Sequence, residues 1–256
     1  MSGGVSIEPN GPILQVIIDR SEKKNALTFA MYENLTRALL DADINPTIKV
    51  VVLSGSNGAF TAGNDLKDFL TATSEPGRLS AAGDFLKAIS TLQKPIIAAV
   101  DGLAIGIGTS MLLHCDLVYC NASAVFQLPF TRLGVVPEGG TSLLLPQRLG
   151  HRTAFELLAL GEPFDATKAL KLGIVNEVVP EESALDKAMQ VAEQLLTLPP
   201  QALLKCKALL KAPVQAELQQ TIDQEMEHFA QALQEPESLE AITALMEKRV
   251  PDFSSC

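Results

Sequence analysis

The chain reads as an α/β protein with a parallel sheet and a helical C-terminal region, on three observations. Apolar runs of strand character alternate with segments of helical period through the first part of the chain. One run, Pro95–Val100, is apolar throughout, as expected of a strand covered on both faces. Beyond about residue 195 strand signals cease, and apolar residues recur only at helical spacing.

The elements follow in order. Ile13–Asp19 alternates loosely and Lys49–Ser54, "KVVVLS", is β-branched; both read as strands. Between them, Thr28–Asp43 carries Met31, Leu35, Ala38, Leu39 and Ala42 at helical spacing, with Thr28 as N-cap. After Pro95–Val100, Gly108–Cys115 reads as a helix and Leu117–Asn121 as a short strand. Strands joined through helices imply right-handed βαβ crossovers. Later, Glu181–Leu196 places Leu185, Ala188, Met189, Ala192, Leu195 and Leu196 on one helical face. Pro199-Pro200 opens another helix, where proline is tolerated. Val214, Leu218, Ile222, Met226, Phe229 and Leu233 make a further stripe. The expected division is an α/β core over 1–195 and a helical region over 196–256, which either caps its own core or meets another subunit.

Composition narrows the function. The 256 residues are 47% hydrophobic and 20% charged, an ordinary globular mix with ample core material. A formal net charge of −10 argues against nucleic acid or an anionic membrane as partner, but not against an anionic ligand held by a local cation. Cys115, Cys120, Cys206 and Cys256 show no C-x-x-C spacing, so no metal site is expected. No secretory, peroxisomal or lipidation signal is evident, and the expected location is the cytoplasm, with a bacterial source. Pro95–Leu113 has the length of a membrane span, yet Asp101-Gly102, Gly106 and Gly108 split it into strand, glycine-rich loop and helix start.

Several stretches could carry chemistry. "GLAIGIG", Gly102–Gly108, leaves a strand and opens a helix, but Met111 stands where a dinucleotide fingerprint needs glycine, and no G-K-[ST] follows. Alone it is a tight turn; its free N–H groups could also hold an oxyanion. "FTAGNDLKDF", Phe60–Phe69, is a second strand exit, which Asn64 or Asp65 could cap as an Asx turn. Two exits from neighbouring parallel strands could aim N–H donors at one oxygen. Ser110 and His114 lie a helical turn apart, but the G-x-S-x-G of a hydrolase is incomplete, which favours a packed serine and a core histidine. Glu138, in "GVVPEGGTS", is a lone acid between a proline and two glycines. By itself it reads as a loop acid or a partner for the dipole of a helix over Thr141–Leu149.

Taken together, "KKNAL" (Lys23–Leu27), "AFTAGNDLKDF" (Ala59–Phe69), "KPIIAAVDGLAIGIGTSMLLHCDLVY" (Lys94–Tyr119), "FQLPFTRLGVVPEGGTSLLLPQRLG" (Phe126–Gly150) and "ALKLGIVNEVV" (Ala169–Val179) resemble the enoyl-CoA hydratase/isomerase (crotonase) superfamily over nearly the whole chain. The resemblance implies a crotonase-like spiral of ββα units with a C-terminal helical region, assembled as a homotrimer or dimer of trimers. It implies an acyl-CoA thioester substrate and no cofactor beyond the CoA of that substrate. The N–H groups of Asn64 and Ile107 match the family's oxyanion hole. Lys24 is implied near the CoA phosphates and the backbone of Ala62, Gly63, Asp65 and Leu66 near the adenine. Ala26, Gly106 and Phe130 are also expected to contact substrate. Hydratases of the family use two glutamates, whose places here hold Ser110 and Phe130. The "PEG" of Pro137–Gly139 resembles instead the Δ3,Δ2-enoyl-CoA isomerase branch, in which a glutamate here is the sole acid–base group. The expectation is such an isomerase, of fatty-acid or aromatic degradation, with Glu138 as base. A hydratase with an unusual acid, a non-catalytic acyl-CoA-binding protein and a Ser110-dependent hydrolase are the alternatives.

Overall fold

The computed structural model describes residues 4–72, 76–179 and 183–256. In chain order the elements are β1 (Val5–Asn10), β2 (Ile13–Ile18), α1 (Phe29–Ile44), β3 (Val50–Gly55), α2 (Leu66–Ala72), α3 (Ser80–Thr91), β4 (Ile96–Val100), β5 (Leu103–Ile105), α4 (Ile107–Ser110), β6 (Leu117–Asn121), β7 (Val125–Gln127), α5 (Thr141–Leu149), α6 (His151–Phe155), β8 (Phe164–Asp165), α7 (Ala166–Lys171), β9 (Glu177–Val179), α8 (Ala184–Leu196), α9 (Pro200–Ala232) and α10 (Pro236–Glu247). The main sheet runs β1-β2-β3-β4-β6-β9 and a smaller one β5-β7-β8.

From β2 to β9 the main sheet is parallel, as expected. The edge strand β1 departs from that rule and pairs antiparallel with β2. Only Val5 of β1 is buried, so its sequence lacks the apolar signal that marks the inner strands. The strand period of two sends alternate side chains of β3 and β4 to opposite faces. Val51, Leu53, Ile96, Ala98 and Val100 pack with α1 and α3 in one core. Val50, Val52, Ile97 and Ala99 pack with α8 in the other. Covered on both faces, β4 needs no polar residue, which is why Pro95–Val100 reads as it does. The apolar run through Leu113 is divided among β4, β5, α4 and a 3-10 turn over Met111–His114; the single helix expected over Gly108–Cys115 is thus a shorter α-helix followed by that turn. No helix of the described residues is long and apolar enough to cross a membrane.

Thr28 caps α1 as expected, its Oγ1 accepting from the Met31 N–H at 3.3 Å. The helix anticipated from Glu181 is seen from Ala184; its expected first residues lie outside the described ones. The stripe from Val214 and the helix opened by Pro200 are one element, α9, 33 residues long. Pro213 sits inside it without ending it: the hydrogen bond it lacks belongs to the carbonyl of Leu209, on a turn where Leu209 is 74% exposed and water reaches the backbone. Leu218, Ile222, Phe229 and Leu233, with Ile242 of α10, belong to the main core, so the helical region packs on its own chain.

Candidate active site

Two backbone loops meet beyond the carboxyl ends of the adjacent parallel strands β3 and β4. Thr61 and Ala104 form a parallel bridge, with the Thr61 N–H donating to the Leu103 carbonyl at 2.8 Å and the Ile105 N–H to the Thr61 carbonyl at 3.0 Å. Asn64 and Ile107 each lie three residues beyond their partner in that bridge, so equal lengths of chain carry both N–H groups forward. Their neighbours are committed: the Asp65 N–H donates to Leu27 and the Gly106 N–H to Gln127. The N–H groups of Asn64 and Ile107 donate to no other described residue. Gly106, at φ 56° and ψ −117°, turns the chain into α4 in a conformation that favours glycine; a Cβ there would meet nothing within 4 Å, so the requirement is one of backbone alone. Asn25 braces the first loop: its amide donates to the carbonyls of Ser56 (2.9 Å) and Ala59 (2.7 Å), and its own carbonyl accepts from Thr61 Oγ1 (2.6 Å).

Glu138 is 1% exposed, and its Oε1 has no hydrogen-bond partner among the described residues. Burial, and then the negative charge of Glu225, push its carboxyl up from 4.5 to about 8. The dipole role considered for Glu138 belongs to another residue. Glu225, from α9, accepts from the Gly140 N–H at 2.5 Å, from the Ser142 N–H at 2.9 Å and from Ser142 Oγ at 2.5 Å, at the N-terminus of α5. Only the main-chain carbonyl of Glu138 serves that helix, accepting from Thr141 Oγ1 at 2.8 Å, which leaves the side chain free to point away. Gly139 and Gly140 both stand at φ 72°, and a Cβ on Gly140 would lie 2.3 Å from Leu218 Cδ1. The double turn therefore needs glycine for conformation and for space.

Glu138 faces a cavity of about 560 Å³, a volume suited to a small organic ligand. Ala62, Gly63, Asn64, Leu66, Gly106 and Phe130 line it, so most of the expected site residues come together. Ile107 is fully buried behind Gly106, where its backbone alone can serve. Lys24 is exposed and Ala26 half-buried, and neither lines the cavity; Lys24 supports the first loop through its carbonyl, which accepts from the Ala62 N–H at 2.9 Å. Asp65 is also outside it. Burial raises the Asp65 carboxyl, but Arg20, 2.7 Å away, and the N–H groups of Lys67 and Asp68 outweigh that and hold it below its ordinary value. Its Oδ1 caps α2, the Asx turn foreseen for this stretch. Ser110 and His114 are both buried and committed, Ser110 Oγ to the Gly106 carbonyl at 3.2 Å and His114 Nε2 to the Gly139 carbonyl at 2.8 Å. No nucleophile–base pair exists between them.

A model of the family described as enoyl-CoA hydratase/isomerase matches residues 8–255. The chain belongs to that family. OdaA of Pseudomonas aeruginosa is 42% identical with a TM-score of 0.92, covering 96% of this chain and 99% of its own. An enoyl-CoA hydratase/isomerase from Pseudoalteromonas atlantica T6c is 38% identical with a TM-score of 0.91, covering 98% and 100%. A carnitinyl-CoA dehydratase of Salmonella enteritidis PT4 is 33% identical over 261 residues, 98% of each chain. The crotonase-like fold with its helical C-terminal region is therefore that of this chain, and the protein is an enzyme of the crotonase family.

Sequence reasoning misses three supporting residues of this hydratase/isomerase family member. Asn25 sits inside "KKNAL" with no outward sign that it is buried. Tyr32, on the apolar face of α1, donates its hydroxyl to the Asn64 side chain; burial, and then the charge of Glu138, hold that phenol in its protonated form. Glu225 stands in plain view, three residues after Ile222 and four before Phe229, an acid within an apolar stripe.

Proposed function

We propose that the protein is a Δ3,Δ2-enoyl-CoA isomerase in which Glu138 alone moves the proton. One observation carries this reading: Glu138 is the single carboxylate lining the cavity among the described residues, and it is buried with one oxygen unpartnered. The thioester carbonyl of a 3-enoyl-CoA accepts from the N–H groups of Asn64 and Ile107. Glu138 takes a proton from C2, charge collects on the carbonyl oxygen as a dienolate, and the same carboxyl returns a proton at C4, leaving the double bond at C2. Each oxyanion donor contributes roughly 10²–10³ in rate and a positioned base roughly 10²–10⁴. With the carboxyl raised toward neutrality, its ionised form takes the C2 proton and the acid so formed readily gives a proton up at C4.

Lys24 serves the CoA phosphates in this reading, the Ala62–Leu66 backbone serves the adenine, and no cofactor takes part. The assembly is a homotrimer or dimer of trimers working in the cytoplasm; the strongly exposed Leu209 and Leu210 of α9 offer apolar surface for subunit contact. The core over 1–195 carries the catalytic groups, and 196–256 completes the pocket.

A second reading, hydration or dehydration, is favoured by the dehydratase and hydratase relatives. Against it, Phe130 and the buried, committed Ser110 leave no second acid to activate water. The deciding experiment mixes the enzyme with 3-enoyl-CoA and follows thioester conjugation by ultraviolet absorbance, with 2-enoyl-CoA run in parallel for 3-hydroxyacyl-CoA. Conjugation is expected, with a loss of roughly 10²–10⁴ in Glu138→Gln. Hydroxyacyl product without conjugation, or an active Glu138→Gln enzyme, overturns the reading.

A further inference from the structure

Glu138 and Glu225 are two buried carboxylates at one short turn, and their surroundings are unequal. Glu225 has three donors, from Gly140 and Ser142, at the N-terminus of α5. Glu138 Oε1 has none among the described residues. Burial raises the Glu225 carboxyl too, and its donors offset that rise in part, whereas Glu138 has no such offset; of two like charges in a low-dielectric region, the group with more donors is favoured to keep the charge. The same contacts hold the turn mechanically. Glu225 ties residues two and four places after Glu138, and His114 ties the residue directly after it, donating to the Gly139 carbonyl.

We propose that Glu225 is the positioning residue for Glu138: anchored as an anion on the α5 N-terminus, it fixes the Gly139-Gly140 turn that aims Glu138 into the cavity and makes Glu138 the proton-holding member of the pair. The assignment rests on Glu138 being the acid–base group of the proposed reaction. The other charged and titratable groups around the pair are occupied or neutral. His114 is pushed down to about 3 by burial and then by Lys211, so it faces the turn as a neutral donor. Lys211, on α9, donates to the His114 carbonyl. Tyr32, from α1, is bound to Asn64. On the α3 side Lys87 pairs with Asp223. Across the cavity Arg132 pairs with Glu162, and Arg249 with Glu240 and Glu247. Among the described residues, this leaves Glu225 as the charge that acts on Glu138, the same cause that adds to burial in raising its carboxyl.

The test uses the full-length enzyme and its Glu225→Gln and Ser142→Ala variants. The protonated carboxyl of Glu138 is followed by infrared difference spectroscopy across pH, its band assigned by its loss in Glu138→Gln. In Glu225→Gln the midpoint falls from about 8 toward the ordinary 4.5, and the acid limb of kcat/KM for 3-enoyl-CoA moves down with it. The drop in kcat exceeds any change in KM, because the turn is loosened at the reacting group and not at the CoA. Ser142→Ala removes one donor to Glu225 while keeping the backbone N–H bonds, and lowers the midpoint by a smaller amount; it decides the matter if Glu225→Gln does not fold. An unchanged midpoint in a folded variant overturns the proposal. The titration needs no turnover, so a shifted midpoint in an enzyme that does not isomerise overturns the isomerase reading and leaves the role of Glu225 standing.

Discussion

At the scale of one residue, a carboxyl buried without hydrogen-bond partners must cost stability, and Glu138 allows that cost to be measured without any substrate. The unfolded chain ionises this group near 4.5, whereas the folded chain holds the proton to about 8. Between those values the folded state binds one more proton than the unfolded state, so stability falls as pH rises, by about 1.4 kcal/mol per pH unit, and levels off above the folded value. Glu138→Gln removes the titration and keeps the shape. Its stability relative to wild type is therefore flat below pH 4.5 and rises between 4.5 and about 8, to a gain of at most ~5 kcal/mol. Urea denaturation of both proteins across that window reads the slope directly. A stability difference independent of pH would mean that the carboxyl is solvated after all. The proline and glycines around Glu138 are visible in the sequence as a stiff approach and a free turn. Its burial is not, because that depends on Leu86, Leu218 and Ile222, side chains distant along the chain that pack around the turn.

At the scale of elements, legibility follows length. The parallel strands β3 and β4 are long enough for a pattern and read correctly in the sequence, as do α1 and α5. β5, β7 and β8, of two or three residues each, carry no period, so Leu103–Ile105 reads as part of a glycine loop. The consequence is chemical: β5 is the strand that pairs with Thr61 and brings the two donor loops into register. Gly106 then sets the direction of the Ile107 N–H. Gly106→Ala meets no steric obstacle but must hold φ 56°, ψ −117°, or relax and swing the donor away. The strained conformation costs roughly 1–3 kcal/mol. The expected result is a fall of roughly 10²-fold in kcat, as for loss of one oxyanion donor, with a smaller change in KM. Gly150→Ala, also at positive φ (78°) and in open space, supplies the control: a comparable loss of stability with activity kept. Equal loss of kcat in both variants would assign the effect to general destabilisation.

At the scale of the molecule, the cavity belongs to both ends of the chain. The N-terminal core supplies the loops and Glu138, whereas Phe229 of α9, Leu233 just after it, Ile242 and Leu245 on α10, and Phe253 beyond it also line the cavity. The stripe on α9 is legible as an apolar face, but a stripe does not say whether it meets its own core or another chain. Packing answers that for Leu218, Ile222 and Phe229, which are buried within this chain, and the same packing brings Glu225 to the turn beside Glu138. One helical region thus both holds the turn beside Glu138 and lines the cavity. Leu245 lines the cavity and is 52% exposed, so a larger side chain can be placed there with little strain in the core. Leu245→Trp narrows the part of the cavity that α10 lines while leaving Asn64, Ile107, Glu138 and Glu225 in place. Its kcat/KM for a short-chain 3-enoyl-CoA is expected to stay within about threefold of wild type, whereas that for a long-chain substrate drops by roughly 10–200-fold, the range that a poor fit of a methylene or more in an apolar pocket produces. The loss falls on KM and kcat together, since the displaced tail also withdraws the α-carbon from the base. A Leu245→Trp enzyme whose chain-length preference matches wild type would place the acyl tail outside this cavity and reduce the C-terminal helices to a structural cap.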